Sequence, residues 1–167
     1  MTKSILITGI TGFVGRHLLE KLDLSSYQTV FGLSREPEKV HFPDKVPENL
    51  KMIRGDLLHP ECYRSVLNQV DTVVHLAAVT GKAGRAEYRR VNDRATRELL
   101  EACQDSGVKH FLLVSSIAVK FKRQQRYFYA RSKQQAEGEV KKSGLNYTIL
   151  RPTIILGAGS PVFSGFA

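Results

Sequence analysis

Three glycines spaced G-x-x-G-x-x-G stand where an apolar segment meets a segment with apolar residues four apart. The two segments are residues 4–8 and 12–24, and the glycines are Gly9, Gly12 and Gly15. This order predicts a strand, a tight turn at Gly9, close backbone approach at Gly12 and close helix packing at Gly15. The helix N-terminus then offers N–H groups and a positive dipole to phosphates. The junction therefore predicts a dinucleotide-binding loop rather than an ordinary turn.

Apolar segments and segments with a helical period alternate along the whole chain. The pattern predicts strands at residues 4–8, 29–33, 50–53, 71–76, 111–115 and 147–150, and helices at residues 12–24, 61–69, 87–105 and 129–143. Gly107 and Gly144 stand just past two of these helices, where a left-handed glycine commonly ends a helix. Continuous apolar strands separated by helices predict a parallel sheet with right-handed crossovers. We therefore expect an α/β fold, a Rossmann-type doubly wound parallel sheet with strand order 3-2-1-4-5-6 and helices on both faces.

The size and composition of the chain indicate one ordinary globular domain. It has 167 residues, 42% of them hydrophobic and 25% charged, which is enough for a core without disulfide bonds or metals. Cys62 and Cys103 lie among apolar helical positions, so we expect buried free thiols and a reducing compartment. No Cys or His cluster has metal-ligand spacing, and no segment has the length of a signal-peptide core or a membrane span. The sequence thus favours a cytoplasmic protein without a metal site.

The end of the second predicted strand bears on which dinucleotide the chain would bind. An NAD site usually has an acidic residue there, whose carboxylate grips the ribose 2′-hydroxyl. This chain has Ser34 and Arg35 instead, and a guanidinium at that place can bind a 2′-phosphate. We therefore expect NADP(H), with NAD(H) as the alternative because Glu36 follows directly. An arginine that only faces solvent is the other interpretation of Arg35.

The formal net charge of +9 favours an anionic partner, and much of the positive charge lies in two regions. The first region interleaves cations with aromatic residues and holds Lys120, Lys122, Arg123, Arg126, Arg131 and Lys133 with Phe121, Tyr127, Phe128 and Tyr129. The second region is the long helix, with Arg85, Arg89, Arg90, Arg94 and Arg97. Solvated surfaces are the plainest interpretation. A pocket for an anionic substrate ranks next, and single-stranded nucleic acid, which such a composition can bind, ranks last.

Seven short motifs occur in the order and at the spacing of one large protein family. Besides the glycine loop they are Gly55-Asp56-Leu57, His75-Leu76-Ala77-Ala78, Val91-Asn92, Ser115-Ser116, Tyr129-Ala130-Arg131-Ser132-Lys133 and Arg151-Pro152. With these motifs the whole chain resembles the short-chain dehydrogenase/reductase superfamily. The resemblance is to its extended and atypical branches, which include the NAD-dependent epimerase/dehydratases.

The resemblance implies a role for several of these motifs. Asp56 would contact the adenine amine, the segment after His75 would pass under a ribose, and Lys133 would bind the nicotinamide ribose. Asp56 could also cap a helix, Asn92 could be an ordinary helical residue, and we interpret His75 itself as a core histidine. The predicted cofactor-binding set is Gly9, Thr11, Gly12, Phe13, Val14, Gly15, Ser34, Arg35, Asp56, Leu57, Leu76, Ala77, Ala78, Asn92, Ser115, Lys133 and Pro152.

The resemblance also implies a catalytic group of Ser116, Tyr129 and Lys133. Tyr129 and Lys133 are four residues apart on a predicted helix, so they share one face. A nearby ammonium lowers the pKa of a tyrosine, which would let Tyr129 exchange a proton with a substrate hydroxyl or carbonyl. Ser116 would hydrogen-bond the same oxygen while hydride moves to or from the nicotinamide. Tyr127 precedes Arg131 by the same spacing, but arginine replaces the lysine less readily.

Two departures from the family pattern leave the function open. The segment between Ser116 and Tyr129 is shorter than in extended members, and the sequence stops soon after Pro152. We expect residues 1–152 to be an NAD(P)-binding domain and residues 153–167 the start of an otherwise missing substrate-binding region. The leading hypothesis is an NADP(H)-dependent oxidoreductase or epimerase/dehydratase for a small anionic or nucleotide-linked substrate, with a homodimer as the family-based expectation. The alternatives are a cofactor-binding module without turnover and a basic nucleic-acid-associated protein.

Overall fold

A six-stranded, all-parallel sheet forms the centre of the protein. The computed structural model describes residues 3–40 and 46–160. The strands are β1 (Lys3–Thr8), β2 (Tyr27–Ser34), β3 (Leu50–Arg54), β4 (Thr72–His75), β5 (His110–Val114) and β6 (Asn146–Leu150). Their order is β3-β2-β1-β4-β5-β6, so the predicted Rossmann-type fold is confirmed.

Strand β1 lies near the middle of the sheet, and its composition explains why. Every side chain from Ser4 to Thr8 is buried, because a strand covered on both faces has no solvent side. Parallel pairing puts Thr8 opposite Leu33 of β2 and opposite His75 of β4. The carboxyl ends of these three strands therefore meet at one edge of the sheet, where the loops that follow them can share a ligand.

Helices connect the strands within residues 3–40 and 46–160. The α-helices are α1 (Phe13–Lys21), α2 (Arg64–Leu67), α3 (Arg85–Tyr88), α4 (Ala95–Asp105) and α5 (Phe128–Lys142). A π-helical segment, Arg89–Arg94, joins α3 to α4. Short 3₁₀ turns lie at Leu24–Ser26, Pro37–Lys39, Pro60–Cys62 and Ile117–Lys120.

The structure corrects two of the predicted helices. The helix predicted at residues 61–69 is a 3₁₀ turn that begins at Pro60, followed by the four residues of α2. The helix predicted at residues 87–105 begins at Arg85 and contains the π-helical segment. A π-helical turn inserts a residue into a helix while the apolar period on either side remains recognisable. The sequence period therefore could not reveal it.

Two hydrophobic clusters fill the two faces of the sheet. One packs Ile7 of β1 and Val30 of β2 with Leu19 of α1. The other packs Phe111 of β5 with Leu99 of α4 and further side chains of α5. Full burial of one such side chain contributes about 1.5–3 kcal/mol. The prediction of helices on both faces is confirmed.

The predictions for glycines and cysteines have mixed outcomes. Gly107 and Gly144 have φ values of 74° and 71° and follow α4 and α5, as predicted. Cys62 and Cys103 are free thiols, but only Cys103 is buried, because Cys62 lies at the edge of its cluster.

Within the described parts of the chain, no helix combines the length and the apolar character that crossing a bilayer requires.

Candidate functional site

The turn from β1 to α1 is so tight that two of its glycines have no room for a side chain. Gly9 has a φ of 72°, and a Cβ on it would lie 2.6 Å from the amide nitrogen of Ala77. A Cβ on Gly15 would lie 2.5 Å from the carbonyl oxygen of Ile10. Gly12 is exposed, and its Cβ would stand 3.1 Å from the carbonyl oxygen of Gly9. Gly9 and Gly15 therefore hold the turn together, while Gly12 keeps its outer surface bare.

Helix α1 begins after Gly12 without a side-chain cap. The Gly12 amide donates to the Gly9 carbonyl at 3.0 Å and closes the turn. Helix geometry leaves the next N–H groups, those of Phe13 and Val14, without intrahelical acceptors. These donors and the positive end of the helix dipole can bind a phosphate group. The Phe13 ring contacts the His17 ring at a centroid distance of 4.9 Å.

An open cleft of about 330 Å³, here the first cleft, lies over this turn at the carboxyl edge of the sheet. Ten of the predicted cofactor-binding residues line it: Gly9, Thr11, Gly12, Ser34, Arg35, Asp56, Leu57, Leu76, Ala77 and Ala78. The lining residues outside that predicted set are Thr8, Leu33, Glu36, Gly55, Leu58, Val79, Glu87, Arg90 and Val91. Motifs far apart in the sequence thus meet at one cleft.

Arg35 extends into solvent at the rim of the first cleft, where its side chain is 76% exposed. Its Nη1 lies 4.0 Å from Oδ2 of Asp56, and so exposed a pair contributes at most about 1 kcal/mol. The other carboxylate oxygen of Asp56 accepts a hydrogen bond from the Leu58 amide at 3.0 Å. Glu36 also lines the rim, but its carboxylate pairs with Lys39 at 2.7 Å. The Arg35 guanidinium can therefore turn toward an anion in the cleft at little cost.

Thr11 connects the glycine loop to the end of β2. Its hydroxyl lies 3.1 Å from the hydroxyl of Ser34. The Ser34 hydroxyl also accepts a hydrogen bond from the Glu36 amide at 3.0 Å. These contacts fix the strand end relative to the phosphate loop, and both hydroxyl residues line the first cleft.

A buried chain of hydrogen bonds connects the ends of β1 and β4 to α4. The Nδ1 atom of His75 lies 2.7 Å from Thr8 Oγ1, and its Nε2 atom lies 2.9 Å from Thr96 Oγ1. Thr96 donates its one hydroxyl proton to the Asn92 carbonyl at 3.0 Å. Therefore His75 must donate from Nε2 to Thr96 and accept at Nδ1 from Thr8. Burial lowers the pKa of His75 to about 3, so the ring is neutral, and its prediction as a core histidine is confirmed.

Asn92 lies in the π-helical segment and is buried. Its amide oxygen accepts from the Val79 amide at 2.7 Å. Its amide nitrogen donates to the Val79 carbonyl at 3.0 Å and to the Ser132 hydroxyl at 3.1 Å. Asn92 thus fastens the loop after β4 to α5. It does not line the first cleft, and it acts on that cleft by holding Val79, which does.

Ser116 and Tyr129 lie next to each other at the ends of β5 and α5. Burial raises the pKa of Tyr129, and a side-chain hydrogen bond with Ser116 works in the opposite direction. The Ser116 hydroxyl also accepts from the Ala118 amide at 3.2 Å and caps a 3₁₀ turn. The expectation that Lys133 lowers the pKa of Tyr129 is wrong for this structure. Loss of hydration of the phenolate outweighs the groups that favour it.

Lys133 is only 3% exposed, which is rare for a lysine. Burial lowers its pKa to about 8, and the carboxylate of Glu137, one helical turn later, opposes that effect. Tyr127 and Arg131, which have the same spacing, are both exposed. The two tyrosine–cation pairs therefore have different environments: Lys133 of the first pair is buried, whereas both members of the second pair are exposed.

An ion pair with two hydrogen bonds joins α5 to the chain after β6. The Nε and Nη2 atoms of Arg151 donate to Oε1 and Oε2 of Glu137 at 2.7 and 2.6 Å. The Glu137 side chain is 5% exposed and that of Arg151 29%. Burial raises the pKa of Glu137, but the hydrogen bonds and the positive charge of Arg151 lower it by more, so the net direction is down. Sequence reasoning assigned Arg151 to a turn motif and missed its partner.

Several predicted site residues lie outside the lining of the first cleft: Phe13, Val14, Gly15, Asn92, Ser115, Ser116, Tyr129, Lys133 and Pro152. The Ser115 amide donates to the Leu150 carbonyl at 2.7 Å, and the Pro152 carbonyl accepts from the Ile117 amide at 2.9 Å. Ser115 and Pro152 therefore join β5 to the chain after β6. Of the segment predicted to begin a substrate-binding region, residues 161–167 lie outside the described residues.

Comparison with known protein families gives one match over nearly the whole chain. The family whose sequence model matches residues 9–160 is described as NAD(P)H-binding. Among curated relatives, a UDP-glucose 4-epimerase from Vibrio cholerae is 34% identical over 95% of this chain and 54% of its own length. A ceramide reductase from Caulobacter vibrioides is 29% identical over 93% of this chain and 47% of its own length. The chain spans about half the length of these relatives.

Comparison with solved structures identifies the same kinds of protein. A UDP-glucuronic acid 4-epimerase from Bacillus cereus in complex with NAD has a TM-score of 0.80 at 25% identity, covering 92% of this chain and 58% of that one. A short-chain dehydrogenase/reductase superfamily protein from Agrobacterium tumefaciens with bound NAD has a TM-score of 0.72 at 26% identity, covering 89% of this chain and 48% of that one. The resemblance to this superfamily is confirmed.

Proposed function

Because the chain belongs to the NAD(P)H-binding family, within the short-chain dehydrogenase/reductase superfamily of epimerase/dehydratase type, we propose that it supplies the cofactor site of an oxidoreductase or epimerase. In this proposal residues 1–152 bind the dinucleotide in the first cleft. Residues 153–167 begin a substrate-binding region. Ser116, Tyr129 and Lys133 serve the proton transfer that accompanies hydride transfer.

The observation that carries the proposal is the bare backbone at the start of α1. Gly12 is exposed and presents no side chain, and α1 follows it without a side-chain cap. A diphosphate can approach that backbone and accept hydrogen bonds from the first amides of the helix. Ten residues of the predicted cofactor set surround the same cleft. The residues present therefore fit a dinucleotide.

The nicotinamide, when bound, supplies the hydride chemistry. Ser116 and Tyr129 share a hydrogen bond, so the two hydroxyls can both reach one substrate oxygen. Burial that raises the pKa of Tyr129 keeps its proton in place at neutral pH, which suits a group that donates a proton to a carbonyl oxygen. Lys133, with its pKa lowered to about 8, can hold or release a proton close to neutral pH.

Titration of the folded protein with NADPH and NADH, followed by turnover measurements on a panel of carbonyl compounds, tests the proposal. We expect saturable NADPH binding. Tyr129→Phe should retain that affinity within about threefold and lower kcat/KM at least about a hundredfold, because it removes only the acid–base hydroxyl.

Two results would count against this function in different ways. Folded protein that binds neither nucleotide contradicts the cofactor site itself. Binding without turnover in the unsubstituted protein and in Tyr129→Phe contradicts catalysis and supports the alternative of a cofactor-binding module.

The choice of NADP(H) over NAD(H) also belongs to the proposal and depends on Arg35. Arg35→Ala should weaken NADPH binding by about 10- to 100-fold, because a charge-assisted contact to phosphate contributes about 1.5–3 kcal/mol. NADH, which has no 2′-phosphate, should bind the variant with unchanged affinity. Equilibrium titration with both nucleotides at constant ionic strength measures the difference.

Arg64→Ala is the matched control for this substitution. Arg64 is also an exposed arginine, but its guanidinium lies 3.4 Å from the carboxylate of Asp105, and Arg64 does not line the first cleft. The control should leave both affinities unchanged. Equal losses in the two variants would show a general effect of charge and contradict a 2′-phosphate contact at Arg35.

A further inference from the structure

A second cleft, of about 520 Å³, lies beside Tyr129 and shares no lining residue with the first cleft. One wall is the segment of residues 81–84 together with Tyr88, and the other is residues 126–129 at the start of α5. The Tyr88 hydroxyl donates to the Gly81 carbonyl and holds the first wall against α3. A Cβ on Gly81 or Gly84 would meet nothing within 4 Å, so this wall is open on its outer side.

Each wall contributes a cation that lacks a counter-ion. Lys82 stands on one wall and Arg126 on the other, and neither forms an ion pair with any described residue. This differs from the neighbouring helix, where Arg94 pairs with Glu98 at 2.8 Å. No acidic residue occurs between positions 106 and 136, so the wall at α5 has no carboxylate nearby in sequence. Two cations without partners in the lining of one cleft favour an anion there.

Four of the residues in the two walls are aromatic. The ring of Tyr129 lies 5.9 Å from that of Tyr88 and 6.0 Å from that of Tyr127, measured between centroids. The guanidinium of Arg85 lies 5.9 Å from the centroid of Phe128, which leaves a third cation beside the cleft. The walls of the cleft therefore combine aromatic surface with positive charge.

We infer that the second cleft holds the phosphate group of a small phosphorylated substrate whose carbonyl or hydroxyl group lies at Tyr129. The inference rests on the proposed function for the reacting end of that substrate, and on Lys82 and Arg126 for the phosphate end. Tyr129 lines the second cleft and hydrogen-bonds Ser116, so a ligand in this cleft touches the candidate proton donor directly.

A phosphate monoester fits these walls better than a carboxylate does. A carboxylate carries one negative charge, whereas a phosphate monoester carries close to two at neutral pH and can engage Lys82 and Arg126 at once. Arginine and lysine are also the side chains that most often bind phosphate in proteins. The cofactor phosphates do not compete for this place, because the glycine loop lies in the first cleft.

Calorimetric titration with inorganic phosphate, at constant ionic strength and with NADPH saturating, tests the inference. The double variant Lys82→Gln, Arg126→Gln should bind phosphate at least about tenfold more weakly than the unsubstituted protein, as expected for the loss of two charged contacts. The charge-matched control is Lys122→Gln, Arg131→Gln, which removes two exposed cations from the same region outside the cleft. It should stay within about threefold of the unsubstituted protein.

Equal weakening in the two double variants would overturn the inference, because it would show only the effect of net charge. Absence of saturable phosphate binding in the unsubstituted protein would also overturn it. The same titration without NADPH separates this result from the cofactor proposal. A phosphate signal that depends on Lys82 and Arg126 supports the second cleft even if no nucleotide binds, and nucleotide binding without such a signal supports only the first cleft.

Discussion

Gly15→Ala should destabilise the protein by about 3 kcal/mol or more, whereas Gly12→Ala, at the N-cap of α1, should cost only about 1 kcal/mol. The methyl group at Gly15 would lie 2.5 Å from the carbonyl oxygen of Ile10, and backbone cannot move aside as a side-chain end can. The methyl group at Gly12 would stand 3.1 Å from the Gly9 carbonyl, a tight contact that requires the turn to shift by a few tenths of an ångström, but this position is exposed. The larger effect of this methyl group is that it blocks a ligand from approaching the backbone. Gly12→Ala should therefore weaken NADPH binding at least about tenfold.

Urea unfolding followed by far-UV circular dichroism, combined with NADPH titration, measures both effects. Gly138→Ala is the control for adding a methyl group, because a Cβ on Gly138 of α5 meets nothing within 4 Å. In a helix that change should raise stability by about 0.5–1 kcal/mol. A Gly15→Ala variant as stable as the unsubstituted protein would contradict the packing role assigned to Gly15, and unchanged NADPH affinity in Gly12→Ala would contradict the phosphate approach.

The first cleft was largely predictable because its residues follow strands that the sequence reveals. Thr8, Ser34 and His75 end β1, β2 and β4, and parallel pairing brings such ends to one edge of a sheet. A run of apolar residues predicts where a strand lies, and the glycine or polar residue that follows the run predicts where the strand ends. Rim residues such as Arg90 were not assigned to the cofactor, because their helix position does not show which way the loop before them turns.

The environment of the catalytic candidates was less predictable. Spacing placed Tyr129 and Lys133 on one helical face, but it does not show how much water either side chain retains. The direction of the Tyr129 pKa therefore came out opposite to the prediction, with burial as the largest effect. The second cleft depends on two loops whose residues, such as Lys82 and Arg126, are far apart in sequence. The local sequence pattern within each loop does not show that the two loops come together in the fold.

Arg151→Met should lower the free energy of unfolding by about 3 kcal/mol at pH 7, because it leaves the carboxylate of Glu137 buried without its partner. The long apolar side chain of methionine preserves most of the packing of the arginine stem. The double variant Arg151→Met, Glu137→Gln should recover much of the loss, since the amide carries no charge to bury. Urea unfolding of the four proteins of this cycle gives the coupling energy directly.

The pH dependence of that loss distinguishes a buried charge from simple loss of contacts. In the unsubstituted protein the folded pKa of Glu137 lies below its ordinary value of 4.5, so Glu137 stabilises the fold above that pH and this contribution is lost as pH falls through the folded pKa. Burial is the largest single influence on this carboxylate, so we expect its folded pKa to rise when Arg151 is removed. The stabilisation by ionised Glu137 is then reduced or reversed in the variant, and the difference between the two proteins should shrink as pH falls from 7 through the pKa range of Glu137. A difference that stays constant over this interval would show that Arg151 acts through packing and not through the charge of Glu137.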